Sequence, residues 1–469
     1  MVRGLSKDGR TIVVVALAYA LLVVAWSLVI PYDRGPDERT HFFLLEYFYR
    51  FGRMPVPEVD PVEPLRGVLS NDVFTRDTFW YYGLPYLHTL GATLLSLAFA
   101  PLLPDGLGYL APRAFNWLLA GIFMASLLEV ARNQRLTRGQ AIAAAAIVAM
   151  IPQVTFVFAY FNSDGFGLTA CALALALLSR HLREPSRSGR LLAFGCACGL
   201  ILCSKLYYYP ALVFFAGLIL AERFANPARR LVADAGWALL GMAVIAIPVL
   251  GTTYLQFGDI SGMRGQAAYV ALNRSEPTAM YGTCFLFCAD GIINTTTLRW
   301  WLPITARSFF MTTGWMDTLL PGFVYKLFFY PLTLALLVWS AVVLLGVLRR
   351  MRQLWRTSLI PLAVIVLFWS MAVAVLVMNL LGQQNLLPQP QGRYMFVVLP
   401  FAALLLALLR ARAMRENNGV MARWTGPMII GVAAAMLSVN LLSLGLTAQV
   451  NAKYLALGNH AGQNGLSTR

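Results

Sequence analysis

Residues 11–41 read TIVVVALAYALLVVAWSLVI-PYDRGPDERTH: an uncharged run from Thr11 to Ile30, then two carboxylates and an imidazole close together at Asp37, Glu38 and His41. A helix rising about 1.5 Å per residue needs roughly 20 apolar residues to cross a hydrocarbon core of about 30 Å, and the first run has that length. Similar runs recur almost to the last residue. Hydrophobic residues make up 59% of the 469 and charged residues only 12%, far more apolar material than a soluble core needs. The expectation is an all-α polytopic membrane protein, residues 1–469 forming one integral membrane domain.

The formal charge of +16 does not indicate a nucleic-acid partner, because the basic residues sit in short connections between apolar runs. Arg132, Arg135 and Arg138 form one such group; Arg180, Arg183, Arg187 and Arg190 another; Arg349, Arg350, Arg352 and Arg356 a third. Similar groups occur at Arg223, Arg229 and Arg230, and from Arg410 to Arg423. This is the positive-inside pattern, and requiring every group to be cytoplasmic gives about eleven spans. They are placed at 11–31, 109–131, 139–160, 164–180, 190–206, 207–222, 232–252, 327–348, 357–380, 394–410 and 425–447. Arg3, Lys7 and Arg10 precede the first run, and Pro31-Tyr32-Asp33 follows it without a small-residue cleavage site. The first span is therefore expected to be an uncleaved signal anchor with a cytoplasmic N-terminus.

The apolar stretch from Leu84 to Pro101 is read as a juxtamembrane or re-entrant helix, since a further crossing there would put a basic group on the wrong side. It belongs to a first outer loop, 32–108. A second outer loop covers 253–326 and faces the same side, and long loops in compact folds usually carry function. No internal duplication is visible, which argues against an inverted-repeat transporter.

A helix from Asp37 to Arg53 places Arg39, Glu46, Arg50 and Arg53 on one stripe, expected to face water or head groups. Asp37 and His41 then face inward, with Glu38 beside them. Asp37 is either a helix cap or a general base. Asp164, in Asn162-Ser163-Asp164-Gly165, either caps the next helix or joins Asp37 in a shared polar site. Lys205 and Arg393, the latter followed by Tyr394, either snorkel to the interface or clamp a phosphate. Trp300, Trp301 and Trp315 suit an interfacial belt or a sugar-stacking platform. Cys284 and Cys288 are close enough in sequence for a local disulfide, Asn273 and Asn294 fall in glycosylation sequons, and the histidines and cysteines show no metal-ligand spacing.

Five segments together carry a resemblance: PDERTH (36–41), NSDG (162–165), SKLYYYP (204–210), GWMDTLLP (314–321) and QGRY (391–394). They resemble a family of polytopic bacterial membrane proteins catalogued as a domain of unknown function. That family is in turn similar to the C-type (GT-C) glycosyltransferase superfamily, which includes protein mannosyltransferases and the aminoarabinose transferases of lipid A.

The resemblance implies a GT-C-like fold with juxtamembrane helices in the two outer loops. It also implies transfer of a sugar from a polyprenyl-phosphate donor to an envelope glycan or lipid acceptor, at the outer face of the bacterial cytoplasmic membrane. Asp37 matches the expected catalytic base, with Glu38 adjacent and His41 particular to the narrower family. Asp164 matches a second acidic position, while Lys205, Arg393 and Tyr394 lie where donor contacts are expected. Some members of the superfamily use a divalent metal, so that point stays open, and no other cofactor is implied. A flippase or transporter of lipid-linked saccharides, or a non-catalytic scaffold of polysaccharide assembly, is the competing reading. Charges gathered at one surface fit a transport path poorly.

Overall fold

The structure, a computed structural model, describes residues 7–56, 60, 65–74, 85–184, 188–226, 231–262, 285–288, 291–382, 389–415 and 419–465. Every expected apolar run forms helix. The first seven are α1 (Lys7–Val29), α4 (Leu110–Asn133), the pair α5 (Arg138–Ala149) and α6 (Pro152–Ala159), α7 (Asp164–Arg183), α8 (Ser188–Leu202), α9 (Pro210–Ala225) and α10 (Leu231–Phe257). Among the described residues nine helices are long and apolar enough to cross a membrane, ten with the bent pair counted as one span. The helix α8 is shorter, at 15 residues. The stretch read as juxtamembrane becomes α3 (Tyr86–Phe99), which packs on α4 and on α2 (Glu38–Phe51).

After α11 (Thr295–Phe310), the eighth and ninth runs share one helix, α12 (Tyr330–Gly382), and the last two lie in α13 (Leu399–Arg415) and α14 (Gly419–Gly465). A turn was expected at the basic group inside α12. The segment from Arg349 to Ile360 has no glycine or proline, and its arginines, leucine and methionine favour helix, so nothing local breaks it.

The 70° bend between α5 and α6 has a definite cause. Pro152 lacks an N–H and pushes Ile151 out of helical geometry, to φ −57° and ψ 121°. This frees the carbonyls of Ala149 and Met150 deep in the protein, where water cannot serve them. Tyr19 donates to the Ala149 carbonyl at 2.9 Å, and Asn440 donates to that of Met150 at 3.0 Å. Asn440 also accepts from the Trp26 indole at 3.0 Å, tying α14 to α1 and to the bend. The main core surrounds this junction, with Trp26, Phe123, Phe156, Phe158, Phe214 and Phe401 all buried.

In the first long loop α2 meets a hairpin of β1 (Leu65–Arg66) and β2 (Val73–Phe74). Here the expectation for the charged stripe holds for Arg39, Arg50 and Arg53, which are accessible, and is corrected for Glu46. Glu46 is buried rather than solvated, accepting the backbone N–H groups of Val68, Leu69 and Ser70 at 2.9, 2.8 and 3.0 Å. Arg39 pairs with Asp72 at 2.7 Å and Arg53 with Asp60 at 2.5 Å. The loop folds back over Glu46 because a carboxylate surrounded by N–H donors tolerates burial. Glu46→Gln places an amide donor against one of those N–H groups and is expected to cost about 1–3 kcal/mol, measured as a lower unfolding temperature in detergent.

The second long loop contains β3 (Leu286–Cys288) paired with β4 (Gly291–Ile293), then α11, then a hairpin of β5 (Thr312–Thr313) and β6 (Thr318–Leu319). Asn294 caps α11, accepting the Thr297 N–H at 3.1 Å. Trp301 is buried against Phe285, whereas Trp300 and Trp315 are about half exposed. Cys284 and Asn273 lie outside the described residues.

Candidate functional site

Four segments far apart in the chain meet at one end of the helix bundle: the start of α2, the α6 to α7 junction, the link from α8 to α9, and residues 391–394. Each is shaped locally before it contributes a side chain.

Before α2 the chain turns through Asp33 and Asp37, both with left-handed backbone (φ 62° and 65°). Gly35 between them lies so close over the Tyr160 ring that a Cβ there would overlap it. Arg34 anchors this turn from the other side. It pairs with Asp317 at 2.8 Å, donates to Asn451 at 3.1 Å and stacks on Tyr454, while the Trp315 indole donates to the Asp33 carbonyl at 2.9 Å. The GWMDTLLP hairpin thus holds the first loop in place. Asp33 has one carboxylate oxygen buried without a partner, and burial, with Glu38 adding to it, pushes its pKa up to about 6.

Asp37 occupies the N-cap position of α2 but makes no capping hydrogen bond with its side chain. Its carboxylate instead accepts from Arg393 Nη2 at 2.5 Å. At the α6 to α7 junction Asn162 takes up the local backbone, accepting the Asp164 N–H at 2.8 Å and donating to the Val157 carbonyl at 2.6 Å. The Asp164 carboxylate is thereby left for other partners. Lys205 Nζ and the Tyr207 hydroxyl both donate to its Oδ1, and Oδ2 lies 3.4 Å from Arg393 Nη1, an ion pair without hydrogen-bond geometry.

Arg393 is aimed by its neighbours. Gly392 presses against the Phe309 backbone, where no side chain fits, and donates its N–H to Ser308 Oγ at 2.7 Å. Arg393 then donates to Gln391 Oε1 at 2.6 Å and to the Tyr160 hydroxyl at 2.9 Å, besides Asp37. Neither it nor Lys205 snorkels: their side chains are 3% and 9% exposed. Tyr394 lies with its ring against Tyr207 and donates to Gln389 Oε1 at 2.8 Å.

The result is a row of alternating charge, Asp37, Arg393, Asp164, Lys205. Asp164 is fully buried, and Asp37, at 16% exposed, is the most accessible of the four. Alternation is what makes burial of such charges tolerable, since each is desolvated against an opposite partner.

Two other candidates are placed differently. Glu38 is fully buried in a two-pronged pair with Arg113, at 2.8 and 2.9 Å, and accepts the N–H groups of Asp33 and Phe161 at 3.1 and 2.9 Å. Its neighbours leave no room for it to reach outward, so the geometry gives it an ion-pairing role. His41 is buried beside Phe161 and His88, its Nε2 without a protein partner. Burial first, then the positive charge of Lys205, holds its pKa well below the ordinary imidazole range, so it is neutral.

Sequence reasoning did not single out Tyr160, Tyr207, Asn162 or Arg113 as contributors. The tyrosine run after Lys205 was a usable signal, because the hydroxyls of Tyr207 and Tyr208 both reach Asp164 beside the lysine. Among the described residues no group of three or more His, Cys, Asp or Glu side chains stands ready to hold a metal ion, and both carboxylates of the row are already neutralised by cations. The described residues of the site do not fit a divalent ion, and no step is assigned to one.

Comparison with solved structures gives ArnT from Cupriavidus metallidurans bound to undecaprenyl phosphate, with a TM-score of 0.51 and 13% identity over 97% of this chain and 79% of that one. Its apo form gives 0.48 and 13% over 94% and 77%. The Archaeoglobus fulgidus oligosaccharyltransferase, in complex with zinc and sulfate, gives 0.45 and 12% over 92% and 53%. The fold is therefore GT-C-like. A search of curated proteins finds no match. Residues 105–402 match the family described as predicted membrane protein (DUF2142), and the chain belongs to that family.

Proposed function

We propose that this protein is a membrane glycosyltransferase that moves a sugar from a polyprenyl-phosphate donor to an envelope glycan or lipid, at the outer face of the bacterial cytoplasmic membrane. The observation that carries this reading is the convergence of Asp37, Arg393, Asp164 and Lys205 at one end of the spans. A donor with a polyprenyl tail keeps that tail among apolar helices while its phosphate meets Arg393 and Lys205 at their ends. The likeness in fold to a protein solved with undecaprenyl phosphate supports the same assignment.

The chemistry is a displacement at the anomeric carbon. The acceptor oxygen forms its bond to that carbon as the bond to the phosphate oxygen breaks, Asp37 takes the acceptor's proton, and the lipid phosphate leaves as an anion. Negative charge on the departing phosphate is stabilised by the two cations, donors aimed at the place where charge develops. Arriving phosphate competes with Asp37 for Arg393, so donor binding releases the carboxylate to act as a base. Asp164 holds Lys205 and Tyr207 in position, and Glu38 with Arg113 holds the loop that presents Asp37.

Purified protein in nanodiscs, supplied with polyprenyl-phosphate sugars and envelope acceptors, tests the reading by mass spectrometry of the product. Losing a hydrogen bond to a charged group costs about 1.5–3 kcal/mol, so Arg393→Gln is expected to weaken donor binding roughly 10- to 150-fold. Unchanged donor affinity in that variant removes the clamp. Translocation of the intact lipid-linked saccharide with no transfer would replace the enzyme by a flippase.

A further inference from the structure

At the opposite end of the bundle from Asp37, one helix length or about 30 Å away along α1, lies a cavity of about 220 Å³. The ends of α1, α4, α5 and α7 frame it. Its lining brings together Arg132, Arg135, Arg138 and Arg183 against one carboxylate, Asp8, with Ile12 among the apolar residues of its wall.

The charges there do not balance. Asp8 and Glu129 both pair with Arg132, at 2.8 and 3.6 Å, and Arg183 donates to the Arg132 carbonyl at 3.5 Å. Among the described residues no carboxylate pairs with Arg135, Arg138 or Arg183. Two further features favour an anion. The first N–H groups of α5 open at this place, and Thr137 at its N-cap makes no side-chain capping bond. Arg135 has left-handed backbone (φ 64°), uncommon outside glycine, at the sharp turn that lines the cavity. The positive-inside rule accounts for arginines in short connections, but not for four of them, from three helices and a turn, lining one concave space.

We infer that this cavity binds a phosphate-bearing anion, either the head group of an anionic phospholipid or free phosphate, held by Arg135, Arg138 and Arg183. Guanidinium groups match phosphate oxygens in forked geometry, and the apolar wall suits the stem of a lipid. The inference is independent of the glycosyltransferase reading.

Native mass spectrometry of the full-length protein in detergent tests it, with cardiolipin, phosphatidylcholine and inorganic phosphate as separate probes. The wild type is expected to retain cardiolipin over phosphatidylcholine. An R135Q/R138Q double variant should bind it roughly 20- to 30-fold more weakly, from about fivefold per arginine near an anionic surface. Inorganic phosphate displacing cardiolipin with the same arginine dependence supports the site and identifies free phosphate as a sufficient occupant. Both residues are exposed, so the variant should fold, and Arg183→Gln gives an independent check with a smaller loss. Equal cardiolipin binding by the wild type and both variants, or no preference over phosphatidylcholine, overturns the inference.

Discussion

Asp37→Asn is expected to lower the turnover of sugar transfer by about 10²- to 10⁴-fold, the range a positioned general base contributes. The substitution is mild in every other respect. Asparagine is among the few residues that adopt the left-handed backbone found at Asp37, so the turn before α2 is not strained by it. The capping role is not lost either, because the Asp37 side chain makes no capping bond. Arg393 keeps Tyr160, Gln391 and Asp164 as partners, and the row stays assembled. Donor binding should therefore survive or tighten while chemistry fails, a split between KM and kcat that a merely structural residue does not produce. Full turnover in the asparagine variant would strip Asp37 of the proposed role.

Arg113→Met is expected to destabilise the protein by about 3–5 kcal/mol, the cost of leaving a buried charge without its partner. Both members of the Arg113 and Glu38 pair are fully buried. Arg113 also serves the carbonyls of Ser27 and Ile30 at 3.0 and 2.7 Å, and that of Pro31 at 3.1 Å, where α1 ends. The arginine thus joins the exit of α1 to the start of α2, and Glu38 extends the link to the α6 to α7 junction by accepting the Phe161 N–H. An E38Q/R113M double variant removes the orphaned charge and should recover part of the loss, but not the part owed to the three carbonyls. Thermal unfolding in detergent across the four proteins of this cycle measures the coupling. A coupling near zero would mean that the pair does not hold the loop.

Much of the architecture was legible in the chain because hydrophobic transfer is a local and roughly additive property. A run such as Thr11 to Ile30 must be helical in lipid whatever its neighbours do, and arginine groups at run ends bias its direction without tertiary contacts. Pro152 and Gly35 also act locally, but their consequences show only in the fold, where one begins α6 and the other lies against the Tyr160 ring. The bend itself was not anticipated, because two half-length helices and one full span have the same apolar pattern. Only the partners of the freed carbonyls, Tyr19 and Asn440, make the bend affordable.

The candidate site divides along the same line. By themselves the residues named Asp37, Asp164, Lys205 and Arg393 as charges at run ends on one side, each with a bland alternative that local sequence leaves standing. Tertiary structure decided between the alternatives: Asn162 relieves Asp164 of the local backbone, and Lys205 and Arg393 turn inward to acids from other segments. It also gave Glu46 and Glu38 roles that periodicity cannot show, one accepting a turn's N–H groups and the other an arginine from another helix. The physical reason is that apolar burial depends on a residue's own surface. The fate of a charge depends on which opposite charge arrives beside it, and for residues 37 and 393 that is settled only when the whole bundle closes.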